Sequence, residues 1–345
     1  MRKIGVLTSG GDAPGMNAAI MSIAKSAAMY GMPLVGIKRG YNGALNIEQN
    51  GMAELDLDTV LDIADQPGTY LRTARCLEFL DPQMQQQAAK NIRDMGIEGV
   101  IVIGGDGSFK GAQALCNLGI PYIGIPGTID NDLPYTEMTL GYDSAVNSCV
   151  EAIRAIRATS RSHDRPAVVE VMGRHCGDIA LKAAAGTGAE ICIVPEVEWS
   201  IPQVADRLSH LIAEGNPRAT VVIAEGAFDA MQEYDWKKVL REHNLPVHDD
   251  DTISTRFLTR VLRCLTGCEA RTTVLGYIQR GRQPSAYDSW FAFEAGNMAV
   301  NLLRNGISNQ VIGIKYGRVF CLPIHMALKN KREFNRDLYD MINEL

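Results

Sequence analysis

Residues 101–108 (IVIGGDGS) and 123–132 (IGIPGTIDND) decide the fold class of this chain. Each stretch begins as a short apolar run, which is typical of a strand buried on both faces of a parallel sheet. Each then continues into glycines, hydroxyls and carboxylates. Ligands of open α/β sheets bind beyond the carboxyl ends of the strands. The two stretches therefore predict strands that end in ligand-binding loops, and a similar loop lies at 10–12 (GGD).

Strand-like and helix-like segments alternate along the rest of the chain. The other predicted strands are 4–7, 34–37, 167–171, 191–194, 220–224, 272–275 and 311–314, and predicted helices include 17–30, 147–158 and 203–213. Such alternation indicates a mainly parallel sheet with helices on both faces. There are more strands than one such domain usually needs. We therefore predict an α/β protein of two doubly wound lobes with mainly parallel sheets and a cleft between them.

The composition is that of a globular protein with a sizeable core. The chain has 345 residues, 46% apolar and 21% charged, and a formal net charge of -6, which argues against a nucleic-acid partner. No window is long and apolar enough to span a membrane, and the N-terminal apolar run is too short for a signal peptide. The eight cysteines contain no CxxC pair. They indicate reduced, mostly buried thiols and a cytoplasmic protein rather than a zinc site or disulfides.

The loop at 9–17 (SGGDAPGMN) has the glycine spacing of a P-loop, but Met16-Asn17 stands where that motif needs Lys-Ser/Thr. A glycine turn that opens a helix remains. Its free N–H groups suit a phosphate, and a plain tight turn is an equally good interpretation.

The loop at 104–108 (GGDGS) is more specific. Glycines allow close approach of the backbone to phosphate oxygens, and Asp106 is a hard oxygen ligand of the kind that Mg²⁺ takes. Ser108 could instead be the N-cap of the following helix. The Rossmann fingerprint is absent because the third glycine, Gly111, comes one residue late. Phosphate binding is the favoured interpretation over a bare turn.

The segment at 128–132 (TIDND) places two carboxylates two residues apart, and such a pair repels unless a cation lies beside it. One aspartate could accept a hydroxyl proton while the other steers a magnesium nucleotide. An Asx-rich turn is the alternative, with equal weight.

Taken together, GGDGS, the segment 126–132 (PGTIDND), 171–174 (VMGR) and 276–281 (GYIQRG) resemble the phosphofructokinase family, in order and over most of the chain. The resemblance implies transfer of the γ-phosphoryl group of ATP to the 1-hydroxyl of fructose 6-phosphate, with Mg²⁺ as cofactor. It also implies a homo-oligomer, a tetramer or a dimer. The implied nucleotide-binding lobe is 1–140 plus about 279–328. The implied sugar-phosphate lobe is about 141–278 plus 329–345.

The resemblance also implies residue roles. Asp130 matches the general base, and the catalytic set adds Thr128, Arg174 and Gly11. Asp106 and Asp132 match the magnesium positions. The implied ATP contacts are Gly11, Arg75, Cys76, Gly105, Asp106, Gly107 and Ser108. The implied sugar-phosphate contacts are Thr128, Ile129, Asp130, Arg165, Met172, Gly173, Arg174, Glu225, Arg271, Tyr277 and Arg280. In the family the arginines matching Arg165 and Arg271 come from a neighbouring subunit; without the resemblance, each arginine would be interpreted as a surface charge.

The chain departs from the family at several places. Tyr277 replaces a common histidine, and 229–252 resembles an insertion, either solvated or at a subunit interface. Gly107 and Gly127 stand where pyrophosphate-using members commonly have Asp and Lys, which predicts ATP as donor. Positive charges of the family's effector site for ADP or phosphoenolpyruvate are missing at Met21, Leu57, Glu214 and Asn216. The alternatives are another kinase with a Gly-Gly-Asp-Gly loop, a pyrophosphate-dependent variant, or a non-catalytic subunit.

Overall fold

A computed structural model describes residues 1–46, 50–327, 329 and 332–344. The strands, in chain order, are β1 Ile4–Thr8, β2 Leu34–Ile37, β3 Met52–Glu54, β4 Gly99–Gly104, β5 Tyr122–Pro126, β6 Ala167–Val171, β7 Ile191–Ile193, β8 Thr220–Ala224, β9 Arg271–Val274, β10 Gln310–Lys315 and β11 Arg318–Pro323. The helices are α1 Met16–Met29, α2 Tyr41–Leu45, α3 Leu57–Asp62, α4 Pro82–Asp94, α5 Asp106–Asn117, α6 Tyr142–His163, α7 Asp178–Thr187, α8 Ile201–Ala213, α9 Trp236–Glu242, α10 Thr255–Thr266, α11 Ala286–Arg304, α12 Ile324–Ala327 and α13 Arg336–Glu344. Short 3-10 helices lie at Leu77–Leu80, Glu225–Ala230 and Gly276–Gln279.

The chain forms two compact units. The first comprises Met1–Ala145 and Arg280–Glu333, and the second Val146–Gln279 and Phe334–Leu345. The predicted lobe boundaries fall within five residues of these limits.

The sheet of the first unit has the order β11-β10-β5-β4-β1-β2-β3 among the described residues. Its central pairs are parallel, and the edge strands β3 and β11 are antiparallel to their neighbours. Every residue of β1, β2, β4 and β5 is buried, as the apolar runs predict. Since these strands are parallel, the loops after β1, β4 and β5 meet at one edge.

The second unit contains a parallel sheet of order β7-β8-β6-β9 in the described part of the chain. In this sheet Val171 is in register with Ala224, so the loops that follow β6 and β8 start side by side. Helix α8 begins with a capping box in which Ser200 and Gln203 satisfy each other's backbone N–H groups.

The mainly parallel α/β architecture and the predicted strands are confirmed, with ends shifted by a residue or two. The thiols are only partly as predicted. None of the eight cysteines is in a disulfide, but only Cys149, Cys176 and Cys192 are buried and the others are half-buried. Among the described residues, no helix combines the length and the apolar character that crossing a membrane requires.

Candidate active site

A cavity of about 570 Å³ lies at the carboxyl edge of the first sheet. Its lining includes seven residues that the sequence assigns to nucleotide or acceptor, namely Gly11, Arg75, Cys76, Gly105, Gly107, Ser108 and Thr128. Partial burial raises the pKa of the Cys76 thiol, which makes it a weak nucleophile. The fold thus brings together residues that are far apart in sequence.

The loop after β4 packs closely around Gly104 and is held by a buried tyrosine. Helix α5 begins at Asp106, so Ser108 lies inside the first turn and its interpretation as N-cap is wrong. Its hydroxyl lies over Gly104, where an added Cβ would come within 2.5 Å of Ser108 Oγ. The hydroxyl of Tyr41 donates to the backbone oxygen of Ser108 at 2.5 Å. No sequence pattern predicted that Tyr41 supports this loop.

The loop after β1 is fixed from two sides. Gly10 has a φ of 92°, which favours glycine, and its carbonyl accepts the Thr73 hydroxyl at 2.7 Å. Arg280 donates to the carbonyl of Asp12 at 2.5 Å, and a Cβ on Gly11 would lie 2.8 Å from its guanidinium. Gly11 therefore leaves room for the arginine, which places one predicted phosphate ligand beside the glycine loop.

The two aspartates after β5 flank a residue with left-handed backbone. Asn131 has a φ of 52° and is buried. Its side-chain oxygen accepts from the Thr139 amide at 3.0 Å, and its Nδ2 donates to the Glu137 carbonyl at 3.2 Å. The Asx turn and the functional interpretation are thus compatible, because Asn131 makes the turn that presents Asp130 and Asp132. Sequence reasoning placed Asn131 in the Asx-rich turn but assigned it no part in the functional interpretation, although asparagine tolerates this conformation.

Ile129 is fully buried, so this residue leaves no exposed surface for the predicted ligand contact. Thr128 Oγ1 accepts from the Asp130 amide at 3.3 Å.

Three aspartates near this edge influence one another. Partial desolvation, followed by the charges of Asp130 and Asp106, raises the pKa of Asp132, although its side chain keeps contact with solvent. Asp106 pairs with Lys110 at 2.5 Å. A divalent cation would relieve this repulsion, and carboxylate oxygens are the donors Mg²⁺ prefers. Among the described residues, no group of three or more His, Cys, Asp or Glu side chains is placed to hold a metal ion by itself.

In the second unit, the segment after β6 touches the segment after β8. The amide of Gly226 donates to the Gly173 carbonyl at 3.1 Å, and a Cβ on Gly226 would meet the Arg174 carbonyl at 1.9 Å. Only glycine at 226 allows the two segments to come this close. This approach brings Glu225 next to Met172, Gly173 and Arg174. Buried Gln279 accepts from the Met172 amide at 3.1 Å and supports this edge, a role that was not predicted.

Arg165 and Arg271 lie elsewhere. They line a cavity of about 430 Å³ at the amino ends of β6 and β9, where Ala167 is in register with Arg271. Both pair with Glu269, at 2.7 and 3.8 Å. A five-residue strand is roughly 17 Å long, so within one chain these arginines are far from Met172 and Glu225. Tyr277 follows the carboxyl end of β9 and is 84% exposed.

Comparison with known proteins gives the family. The sequence model named "PFK: Phosphofructokinase" matches residues 3–303. The chain belongs to the phosphofructokinase family. It is 44% identical over 341 residues to the ATP-dependent 6-phosphofructokinase of Clostridium botulinum, covering 99% of this chain and 98% of that protein. It is 42% identical to the protein of the same name from Clostridium acetobutylicum, covering 100% of this chain and 99% of that one.

Solved phosphofructokinases share the fold. The Saccharomyces cerevisiae enzyme superposes with a TM-score of 0.81 at 30% identity, over 95% of this chain and 45% of the yeast chain. A pyrophosphate-dependent phosphofructokinase from Marinobacter aquaeolei also reaches 0.81, at 18% identity, over 99% of this chain and 91% of that one. At 18% identity, the similarity to the Marinobacter aquaeolei protein shows only that the fold is shared.

Proposed function

We propose that this phosphofructokinase transfers the γ-phosphoryl group of ATP to the 1-hydroxyl of fructose 6-phosphate, giving fructose 1,6-bisphosphate and ADP. The observation that carries the proposal is the cavity in which the glycine loops, Arg75 and Thr128 meet, since Thr128 Oγ1 accepts from the Asp130 amide. The names of the 42–44% identical relatives support the same donor and acceptor.

Residues of the first unit bind the nucleotide. Main-chain N–H groups of the loops at 10–11 and 105–108 receive the phosphates, because glycines let oxygens approach the backbone closely. Arg75 lines the same cavity and offers a planar pair of donors to a phosphate. Asp106 and Asp132 would hold Mg²⁺, which neutralises developing phosphate charge when bound.

Asp130 acts as the general base for the acceptor. The Asn131 turn fixes its backbone, and Thr128 Oγ1 accepts from its amide. A carboxylate held in place can take the hydroxyl proton as the oxygen attacks phosphorus. Arg174 supplies positive charge toward the acceptor side.

The sugar phosphate is held by Met172, Gly173, Arg174, Glu225 and Tyr277 of the second unit, and Arg280 grips its 6-phosphate. Arg165 and Arg271 reach a neighbouring subunit's substrate in a homo-oligomer. Their position at the amino ends of β6 and β9 supports this, since they are remote from the sugar residues of their own chain.

ATP is the donor because the glycine positions suit it. A Cβ on Gly107 would meet nothing within 4 Å, so the glycine leaves the cavity open. A Cβ on Gly127 would come within 2.8 Å of Ile103 and 3.3 Å of the Gly104 amide, which leaves no room for a lysine. Both features disfavour the pyrophosphate-dependent variant.

A steady-state assay tests the proposal, with ATP or pyrophosphate as donor and fructose 6-phosphate or NAD as acceptor. We expect turnover with ATP and fructose 6-phosphate. Turnover with pyrophosphate and none with ATP would refute the donor, phosphorylation of NAD would favour another kinase, and complete inactivity of a folded protein would favour a non-catalytic subunit.

A further inference from the structure

A second cavity, of about 610 Å³, lies in the first unit at the carboxyl end of β2. Its lining includes Lys38, Arg39, Asn42, Tyr70, Arg72 and Glu78. It is separate from the nucleotide cavity. Along the 3-10 helix Leu77–Leu80, residues Leu77, Phe79 and Leu80 line the nucleotide cavity, whereas Glu78 lines this one.

The charges of this cavity do not balance. It collects three cations and one carboxylate in a chain whose formal net charge is -6. Among the described residues, no carboxylate lies within 4 Å of the side-chain nitrogens of Lys38, Arg39 or Arg72. Like charges gathered in a concave surface repel one another and create a positive potential that attracts anions.

The backbone of both arginines is held in a conformation that disfavours side chains. Arg39 and Arg72 each have a φ of 59°. The Arg39 amide donates to the Leu71 carbonyl at 2.8 Å, and the Thr8 hydroxyl donates to the Arg72 carbonyl at 2.9 Å. Glycine would adopt this backbone without strain, whereas other residues need compensation from their surroundings. The arginine side chains are therefore retained at a conformational cost, which points to a use for their guanidinium groups.

We propose that this cavity binds a small phosphorylated organic anion, separately from the nucleotide and the sugar phosphate. Two guanidinium groups bind phosphate oxygens bidentately, and Lys38 adds a compact charge. The Asn42 amide can recognise hydroxyl or carbonyl groups. The volume falls within the range of small-molecule sites, about 300–1,000 Å³, and exceeds what a bare phosphate fills.

The experiment measures binding of radiolabelled inorganic phosphate to the full-length protein by equilibrium dialysis. A non-hydrolysable ATP analogue and fructose 6-phosphate are added at the lowest concentrations that occupy the other phosphate sites, because either compound in large excess would also compete for this cavity. The variant is R39G/R72G, in which glycine suits the local backbone and the fold should persist. The matched control is K90Q/K182Q, which removes two exposed lysines outside the cavity. Lys38→Gln serves as an independent single variant.

We expect wild type and K90Q/K182Q to bind one phosphate per chain that R39G/R72G binds at least ~100-fold more weakly, since removing a charge-assisted hydrogen bond weakens binding about tenfold or more. Lys38→Gln should weaken the same phosphate roughly tenfold. Equal stoichiometry and affinity in wild type and R39G/R72G would overturn the proposal. An equal weakening in K90Q/K182Q would also overturn it, because the effect would then be one of overall charge.

Discussion

Asp130 provides the most direct residue-scale test of the chemistry. Asp130→Asn keeps the shape of the side chain but removes the proton acceptor, so kcat should fall by at least ~100-fold, the usual scale for a positioned general base. The KM for ATP should change little, because the role proposed for Asp130 concerns the acceptor. Steady-state kinetics in both substrates measure this, and near-wild-type kcat would show that another group takes the proton.

Gly107 tests the choice of donor at a single position. Gly107→Asp should lower kcat/KM for ATP at least ~10-fold, because the Cβ direction is open and the carboxylate would face nucleotide phosphates at short range. Pyrophosphate should not become a donor, since the packing around Gly127 still excludes a lysine. Gly107→Ala is the control and should stay within a few-fold of wild type. If both variants lose activity equally, the loss is steric.

At the scale of elements, Asp288 of α11 holds the start of α6. Its carboxylate accepts from the amides of Gly141 and Ser144, both at 2.8 Å, and from the Ser144 hydroxyl at 2.5 Å. Burial raises the pKa of Asp288 from 3.8 to about 6, although these hydrogen bonds oppose the shift. The folded protein therefore binds a proton between about pH 4 and 6 that the unfolded chain releases.

It follows that the free energy of unfolding falls as pH rises through that window, by up to about 3 kcal/mol from this group. Above pH ~6, Asp288 causes no further decrease in the free energy of unfolding. Thermal melting of wild type and Asp288→Asn at pH 4, 5, 6 and 7 measures the effect. The midpoint of wild type should fall relative to that of the variant between pH 4 and 6, and a constant difference would contradict the assigned shift.

The parallel strands were predictable because burial on both faces leaves a continuous apolar run, as in β4 and β5. The antiparallel edge strands β3 and β11 were missed. Most of β11 is only half-buried and all but one residue of β3 is at least partly exposed, so neither shows a clear apolar pattern. Pairing at a sheet edge depends on backbone hydrogen bonds, which the sequence does not encode in side-chain type.

Site residues that lie in short sequence motifs were predictable. Residues that support the site through contacts with parts of the chain distant in sequence were not. Asp130 and the glycines lie in short motifs. Tyr41 and Gln279 act through contacts with residues 67 and 107 positions away. No local pattern marks them, because their role arises only when the strands are brought side by side.

At the scale of the whole molecule, variants of Arg165 test whether neighbouring subunits complete each other's active sites. Asp130→Asn and Arg165→Ala should each be nearly inactive alone. If Arg165 serves a neighbour's site, hybrids formed by dissociating and reassembling an equal mixture should recover roughly a quarter of wild-type activity, since some sites then combine two intact residues. Mixing without reassembly is the control. Absence of recovery in verified hybrids would place Arg165 in its own chain's site.

The response to effectors is a second property of the assembled protein. Arg157, which the family resemblance matches to a basic residue of the effector site, bonds both oxygens of Glu190 at 3.0 and 3.1 Å. Asn216 donates to the same carboxylate at 3.1 Å. With this cation neutralised and others replaced, an anionic effector should bind at least ~100-fold more weakly than in a fully basic site.

We therefore expect near-hyperbolic kinetics in fructose 6-phosphate. The measurement is a substrate titration with and without millimolar ADP or phosphoenolpyruvate at constant competing ATP. A several-fold shift in half-saturation by either compound would show that a working effector site persists.

The position of β10 in the sheet has a consequence for synthesis on the ribosome. Strand β5 ends at residue 126, but its partner β10 begins at residue 310, where Gln310 is in register with Ile123. At about 5–20 residues per second, the ribosome needs roughly ten to forty seconds to deliver that partner. During this interval the nascent chain carries a strand that is fully buried in the folded protein and has one unpaired edge, a surface that neighbouring nascent chains on a polysome can join. The pairing of β5 on this side therefore waits for the last part of the first unit to be synthesised.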